Sequence, residues 1–523
     1  MAIIAEVLEN PHLLQGLAVT LLLVVVSSFY RELADGLPYR NIPIVGTSGW
    51  RLSNSKAKQQ FVSSAKEIIA SGFGQGKRVF QMMFDHMPTV VLHPQFVDEV
   101  KNHPDLNITE AIKKMFFGAK ISGLEAFEGL DKDGILLEVI TRKLTQTLGQ
   151  LTIPLSREMA TLMKDHLPES DEWKPFMFAQ EIPYMVARLS SLVFLGQKLC
   201  RDTEWLEISV NYTIHGFMAA RDLRLWPSIV RPVVQWLLPS TRKVRGDVRR
   251  AREIISREVK KRDLIRQGKL PEEDPPRTHA DCLDWIDEVA AGRPIDATLG
   301  QIGFSMAAIH TTSNLLTNVM YDLTAYPEFI QPLRDEIRQI VEEDGVLKKT
   351  SLTKMKLMDS VMKESQRVNP ASIVLLNRLA MKSVVLSDGT HIPKGANVTV
   401  STHVMHDNEV YPNAQTYDGF RFYKKRQVAG SEHRHQFVTT SPEHFGFGHG
   451  MHACPGRFFA SNEIKIMLAH LLMKYDWKFA EGPERPASIM HGTEVICNPM
   501  VKLLYKSRQP EIDLAAFGEG LAE

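Results

Sequence analysis

Residues 445–460 read Phe445-Gly-Phe447-Gly-His-Gly450-Met-His452-Ala-Cys454-Pro-Gly456-Arg-Phe-Phe-Ala. This stretch constrains the chain more than any other. Glycines at 446, 448 and 450 let backbone approach something broad and flat, and Pro455 suits the first position of a helix that continues through Leu472. Cys454 then lies at the positive end of a helix dipole, where backbone N–H groups stabilise a thiolate and lower its pKa. An anionic sulfur beside a glycine-cleared face is a ligand for a soft or redox-active metal. The competing reading is a buried structural cysteine, the usual fate of a lone thiol.

The other three cysteines, Cys200, Cys282 and Cys497, are scattered without a CxxC pair, so neither a disulfide framework nor a zinc site is indicated. With 523 residues the chain can bury a large core, and 62 Lys+Arg against 61 Asp+Glu leave no charge excess to attract nucleic acid. Past Gly46 there is no repeat, and no linker longer than the Pro/acid segment 270–276, so residues 47–510 read as one domain before a short tail, 511–523. Apolar residues recur at helical spacing around 135–151, 181–195, 297–323, 355–368 and 457–474, while strand-like alternation lies near 384–400. The fold class is mainly α with small β-sheets. Asp296 caps a very long helix, apolar nearly all round, that ends at Tyr326-Pro327 and must cross the middle of the domain.

Residues 13–30, LLQGLAVTLLLVVVSSFY, carry no charge. At roughly 1.5 Å per residue they make about 27 Å of helix, enough to span a bilayer core. Glu6 and Glu9 precede the run and no small-residue cleavage site follows it, which favours a transmembrane anchor over a signal peptide. Basic residues after the run (Arg31, Arg40, Arg51, Lys56 and Lys58) place residues 1–12 in the lumen and the body in the cytosol, beyond a Pro-rich hinge, 31–46. A second apolar, Pro-broken segment, Trp226 to Pro239, reads either as a membrane-dipping loop or as an ordinary core connection.

Phe447-x-x-Gly450-x-His452-x-Cys454-x-Gly456 resembles the haem-thiolate loop of the cytochrome P450 family. By that resemblance Cys454 is the axial ligand of a protohaem iron, Phe447 packs near the sulfur, and His452 stands where an Arg usually meets a haem propionate. Three further segments match in the expected order. Glu364-Ser-Gln-Arg367 resembles the family's ExxR helix, and Arg421 its partner Arg, although Tyr417 and Gly419 replace the usual Phe and Pro around it. Arg378 resembles the propionate-binding Arg, with one extra residue in the following turn. The upstream Trp-x-x-x-Arg is absent, and Arg142 lies near its place.

Ala307-Ala308-Ile309-His310-Thr311-Thr312 is similar to the family's oxygen-activating segment, in which small residues such as Ala307 and Ala308 make room for dioxygen and an acid–alcohol pair delivers protons. A helical Thr can bond its own i−4 carbonyl and open the ladder for water, which makes Thr311 the proton relay, or Thr312 if the register is one off. His310 replaces the acid and reads equally as a shuttle or as a satisfied core histidine. The resemblance implies a monooxygenase of the filamentous-fungal branch that oxidises terpenoids, fed by a separate NADPH-cytochrome P450 reductase, with cytochrome b5 as a further partner, at the endoplasmic reticulum membrane. Substrate contacts are expected from about 107–130, about 211–236, 302–312, 373–376 and 489–495, forming an apolar pocket with few polar anchors. Two rivals use the same cysteine: a haem-thiolate isomerase or dehydratase that needs no dioxygen, and a non-catalytic haem or lipophile carrier.

Overall fold

The computed structural model describes residues 36–46, 55–85, 87–128, 134–271 and 279–514, with single helical positions between 12 and 26. The expected lumenal tail, the anchor 13–30, most of 270–276 and the last nine residues otherwise lie outside the described residues. Among the described residues no helix is long and apolar enough to cross a membrane.

The expected long helix runs Ala297–Ala325. Asp296 starts it by accepting the backbone N–H groups of Thr298 (3.0 Å) and Leu299 (3.2 Å), which satisfies two of the four donors a helix start leaves open. It packs most extensively along helix Phe178–Leu195 and also meets helices Thr203–Arg224 and Lys356–Val368. Phe194 lies 5.6 Å from Phe304 and 5.8 Å from Phe459, so one aromatic group joins the long helix to helix Arg457–Lys474. The expected helix near 135–151 is interrupted: Ile135–Glu138 passes through a π-helical turn, Val139–Leu144, into Thr145–His166. Thr145 donates both its backbone N–H and, at 2.8 Å, its Oγ1 to the Ile140 carbonyl, closing the wide turn.

The β structure is minor. A five-stranded sheet has the order Val79–Met83, Pro88–Leu92, Asn397–Ser401, Val374–Ala380, Leu106–Asn107. Strand Lys174–Phe176 joins Leu503–Ser507 and Tyr475–Phe479, and two hairpins complete the set. The pairing of Val374–Ala380 with Asn397–Ser401 slips by one residue between Leu375 and Arg378. Leu376 takes φ +56° there, a strained value for a branched side chain, and Arg378 lies on the buried face of the strand with Val374 and Leu376.

Residues flanking the body at both ends pack onto it. Residues 39–45 of the expected hinge are stitched to the sheet: Gln81 donates to the Tyr39 and Ile42 carbonyls, both at 2.7 Å, and Ile44 bridges to Gln81. At the other end Ile512 and Leu514 are buried, so packing continues past 510.

Candidate active site

The Cys454 loop is held from three sides. Asn102 accepts the Met451 N–H at 2.8 Å, and Phe447 packs edge-on against Phe437 with centroids 5.0 Å apart. From the third side comes helix Lys356–Val368, whose Gln366 lies against Gly446: a Cβ there would meet the amide of Gln366 at 2.5 Å. Lys363 of the same helix is buried and donates to the Gln436 (2.9 Å) and Thr439 (2.6 Å) carbonyls, fixing the chain that leads into the loop. Burial lowers its pKa to about 7. Neither Lys363 nor Asn102 belongs to a motif that would mark it in the sequence, and Gln366 fills an unspecified position between Glu364 and Arg367.

Within the loop the Cys454 N–H donates to the Phe447 carbonyl at 2.7 Å, while Gly448 and Gly450 take φ near +70° and +77°. The following helix begins at Arg457 with Gly456 as its cap, two residues later than Pro455 would have it, because the tight turn over Cys454 occupies those residues. The expectation of a lowered thiol pKa also needs correcting. Burial pushes the Cys454 thiol up, and the backbone N–H groups of Gly456 and Arg457 and the Arg457 charge pull the other way without winning. Cys454 is the partly exposed cysteine of the four, and the others are buried.

Glu364, Arg367 and Arg421 come together as expected. Arg367 donates Nε and Nη2 to the two Glu364 oxygens (2.8 and 2.7 Å), and Arg421 Nε approaches both at 3.0 and 3.1 Å. The remaining guanidinium donors reach the Met405, Ala414 and Pro412 carbonyls at 2.6–2.7 Å. Glu364 and Arg367 are wholly buried, and this saturation of their hydrogen bonds is what makes buried charge tolerable. The unusual Gly419 has its reason in packing: Phe329 lies 2.8 Å from where a Cβ would stand. Tyr417 stacks on Tyr326, with centroids 5.2 Å apart.

On the long helix, Ala307 and Thr311 are exposed although the helix around them is enclosed, so one face opens on internal space. Thr311 Oγ1 donates back to the Ala307 carbonyl at 2.8 Å and lies 3.2 Å from that of Ala308. Thr312 is buried on the other side. His310 Nε2 donates to the Val210 carbonyl at 2.7 Å, tying the long helix to Thr203–Arg224, and burial lowers its pKa. The imidazole is therefore neutral in this setting.

A haem with two anionic propionates fits what is present. Arg378 is 1 % exposed and donates only Nη1, to the carbonyl of its neighbour Asn377, leaving Nε and Nη2 buried without partners. Burial lowers its pKa to about 10. An unpaired buried guanidinium is costly, and a carboxylate is the group that relieves it. His452 is exposed in the short turn Gly450–His452. Arg142 lies on the π-helical turn, 72 % exposed, with Nη1 2.8 Å from Glu138. No contact joins Arg142 to the Cys454 loop among the described residues.

Residues 37–504 match the family model described as Cytochrome P450. The chain belongs to the cytochrome P450 family. It is 40% identical over 476 residues to cytochrome P450 monooxygenase hepE of Aspergillus oryzae, covering 89% of this chain and 86% of the relative. The corresponding protein ntnM of Nectria sp is 38% identical over 470 residues, covering 90% and 89%. Cytochrome P450 monooxygenase easM of Aspergillus fumigatus is 36% identical over 495 residues, 94% of each. The helical fold with small sheets is that of a P450, the cofactor is haem with a cysteine ligand, and the chain is a monooxygenase that draws electrons from a reductase and acts on a lipophilic substrate.

Proposed function

We propose that this P450 inserts one oxygen atom into a terpenoid-type metabolite of a fungal biosynthetic pathway, at the endoplasmic reticulum membrane, with NADPH-cytochrome P450 reductase and cytochrome b5 as electron donors. Haem, when bound, supplies dioxygen reduction and oxygen transfer to a C–H bond. Cys454 holds the iron, and Arg378 takes one propionate, with His452 and Arg142 at the other. The open face at Ala307 and Thr311 carries the reading, since an alcohol bonded back to its own helix leaves a niche for water beside the reacting centre. Thr311 Oγ1 relays the proton. His310 has its Nε2 proton committed to Val210, so Nδ1 is the atom through which it can exchange one.

Two features support membrane attachment. Val19, Leu22 and Val26 are helical and more than half exposed. The segment 225–237 also exposes Leu225, Trp226, Val233, Trp236 and Leu237, beside Arg231 and Arg242, as an interfacial loop does. A domain order of lumenal tail 1–12, anchor 13–30 and cytosolic haem domain follows.

The test is the spectrum of the reduced, carbon-monoxide-treated protein in expressing microsomes beside Cys454→Ser. A red-shifted Soret band lost in the variant supports thiolate ligation by Cys454, and its absence from folded haem protein defeats it. Product formation that continues without NADPH or dioxygen would instead favour the isomerase reading.

A further inference from the structure

Hairpin Ile489–His491/Glu494–Ile496 leans on the long helix close to Thr311: Asn314 Nδ2 donates to the Val495 carbonyl at 3.3 Å, and the Cys497 N–H donates to Asn314 Oδ1 at 3.0 Å. Beside the same hairpin is a cavity of about 80 Å³. Phe61, Phe84, Met115, Phe217 and Val374 form its apolar wall. The rest is polar and charged: Arg221, Arg224, Asp85, Glu494, His491 and Asn377 all line it. With about 10–15 Å³ of such space needed per water, it admits a polar head group together with the part of a skeleton that carries it.

The two arginines differ. Arg224 is the more tightly held, with Nη1 2.5 Å from Asp85 and Nη2 donating to the Met115 carbonyl at 2.9 Å, although its buried Nε has no partner. Arg221 is held loosely: its Nη2 lies 3.4 Å from His491 Nδ1 and 3.6 Å from Glu494, both longer than the roughly 2.7–2.9 Å of a charge-assisted bond. Its Nε and Nη1 have no protein partner among the described residues. Arg221 is two-fifths exposed, so the free donors of its guanidinium can receive a carboxylate beside the aromatic wall.

We propose that the substrate is an amphipathic acid whose carboxylate is held by Arg221, with the skeleton running along the Phe61 and Phe217 wall toward Thr311. This rests on the monooxygenase reading above and names its substrate class. Glu494 is the resident counter-ion that the ligand displaces.

The experiment titrates the full-length holoenzyme with abietic acid and with methyl abietate by calorimetry, in wild type, Arg221→Met and Glu494→Gln. The acid should bind wild type roughly ten- to a hundredfold more tightly than the ester, the span of one forked charge-assisted contact. R221M should bring the acid down to the ester's affinity while leaving the ester within about twofold, and E494Q should tighten the acid alone. Equal affinity for acid and ester in wild type, no binding of the acid, or equal weakening of both by R221M would overturn the proposal. Carbon-monoxide spectra of the same preparations keep the two readings separate. A normal band without preference for the acid defeats only the carboxylate site, and a missing band defeats the haem-thiolate reading beneath it.

Discussion

Glu463 of helix Arg457–Lys474 is wholly buried, accepts one hydrogen bond from Ser190 Oγ at 2.8 Å, and has Oε2 without a partner. Burial raises its pKa from the ordinary 4.5 to about 8, so the folded chain holds this carboxyl protonated at neutral pH. The folded value lies above the unfolded one. The stabilising contribution is therefore fully present below 4.5 and is lost as pH climbs through 8. Over the whole window the loss amounts to about 5 kcal/mol, and between pH 6 and 8 to about 2 kcal/mol. For a chain of this size that corresponds to a melting temperature lower by about 2 °C. Glu463→Gln keeps an acceptor for Ser190 and removes the titration. Scanning calorimetry of wild type and E463Q at fixed scan rate should show wild type falling about 2 °C further between pH 6 and 8. Parallel pH curves for the two proteins would refute the assignment of a buried neutral acid.

Thr311→Ala should leave the haem spectrum intact, lower product formation by roughly a hundredfold and divert NADPH-derived electrons to peroxide, read as peroxide per NADPH consumed. Unchanged coupling would remove Thr311 as relay, and the same assay on His310→Ala decides whether that imidazole takes part. Gly446→Ala drives a methyl into Gln366 and should cost about 1–3 kcal/mol, with Gln366→Ala in the same chain restoring most of it in urea unfolding. Arg378→Met should act with opposite signs in the two states of the protein. It relieves an unpaired buried cation in the haem-free chain, raising its melting temperature, and it speeds haem transfer from the loaded chain to apomyoglobin.

The parts legible in the sequence are those whose geometry is local. Asp296 and the Tyr326-Pro327 stop bound the long helix, and Glu364 and Arg367 share a helix face by their spacing alone. Arg421 is correctly placed despite Tyr417 and Gly419, because its bonds go to Glu364 and to backbone carbonyls, not to the altered neighbours. What failed depended on distant packing. The pull of a helix start on a thiol can be read from Pro455 and Gly456, but the burial that outweighs it comes from the rest of the fold. Arg221 and Arg224 look like basic residues closing the last turn of a helix. Only the return of the 489–496 hairpin, nearly 270 residues later, makes them part of a cavity.

The clamp around the Cys454 loop has a consequence for how such a protein can diversify. Asn102, Lys363 and Gln366 grip the loop with contacts that involve neither helix Thr203–Arg224 nor the 489–496 hairpin. The contacts that hold the loop are thus distinct from those that line the cavity beside the hairpin. Among the described residues Phe217, Arg221, His491 and Glu494 make no hydrogen bond, ion pair or ring contact with that loop. A lineage carrying this architecture can change what it oxidises by a few side-chain replacements while inheriting its oxidising power intact.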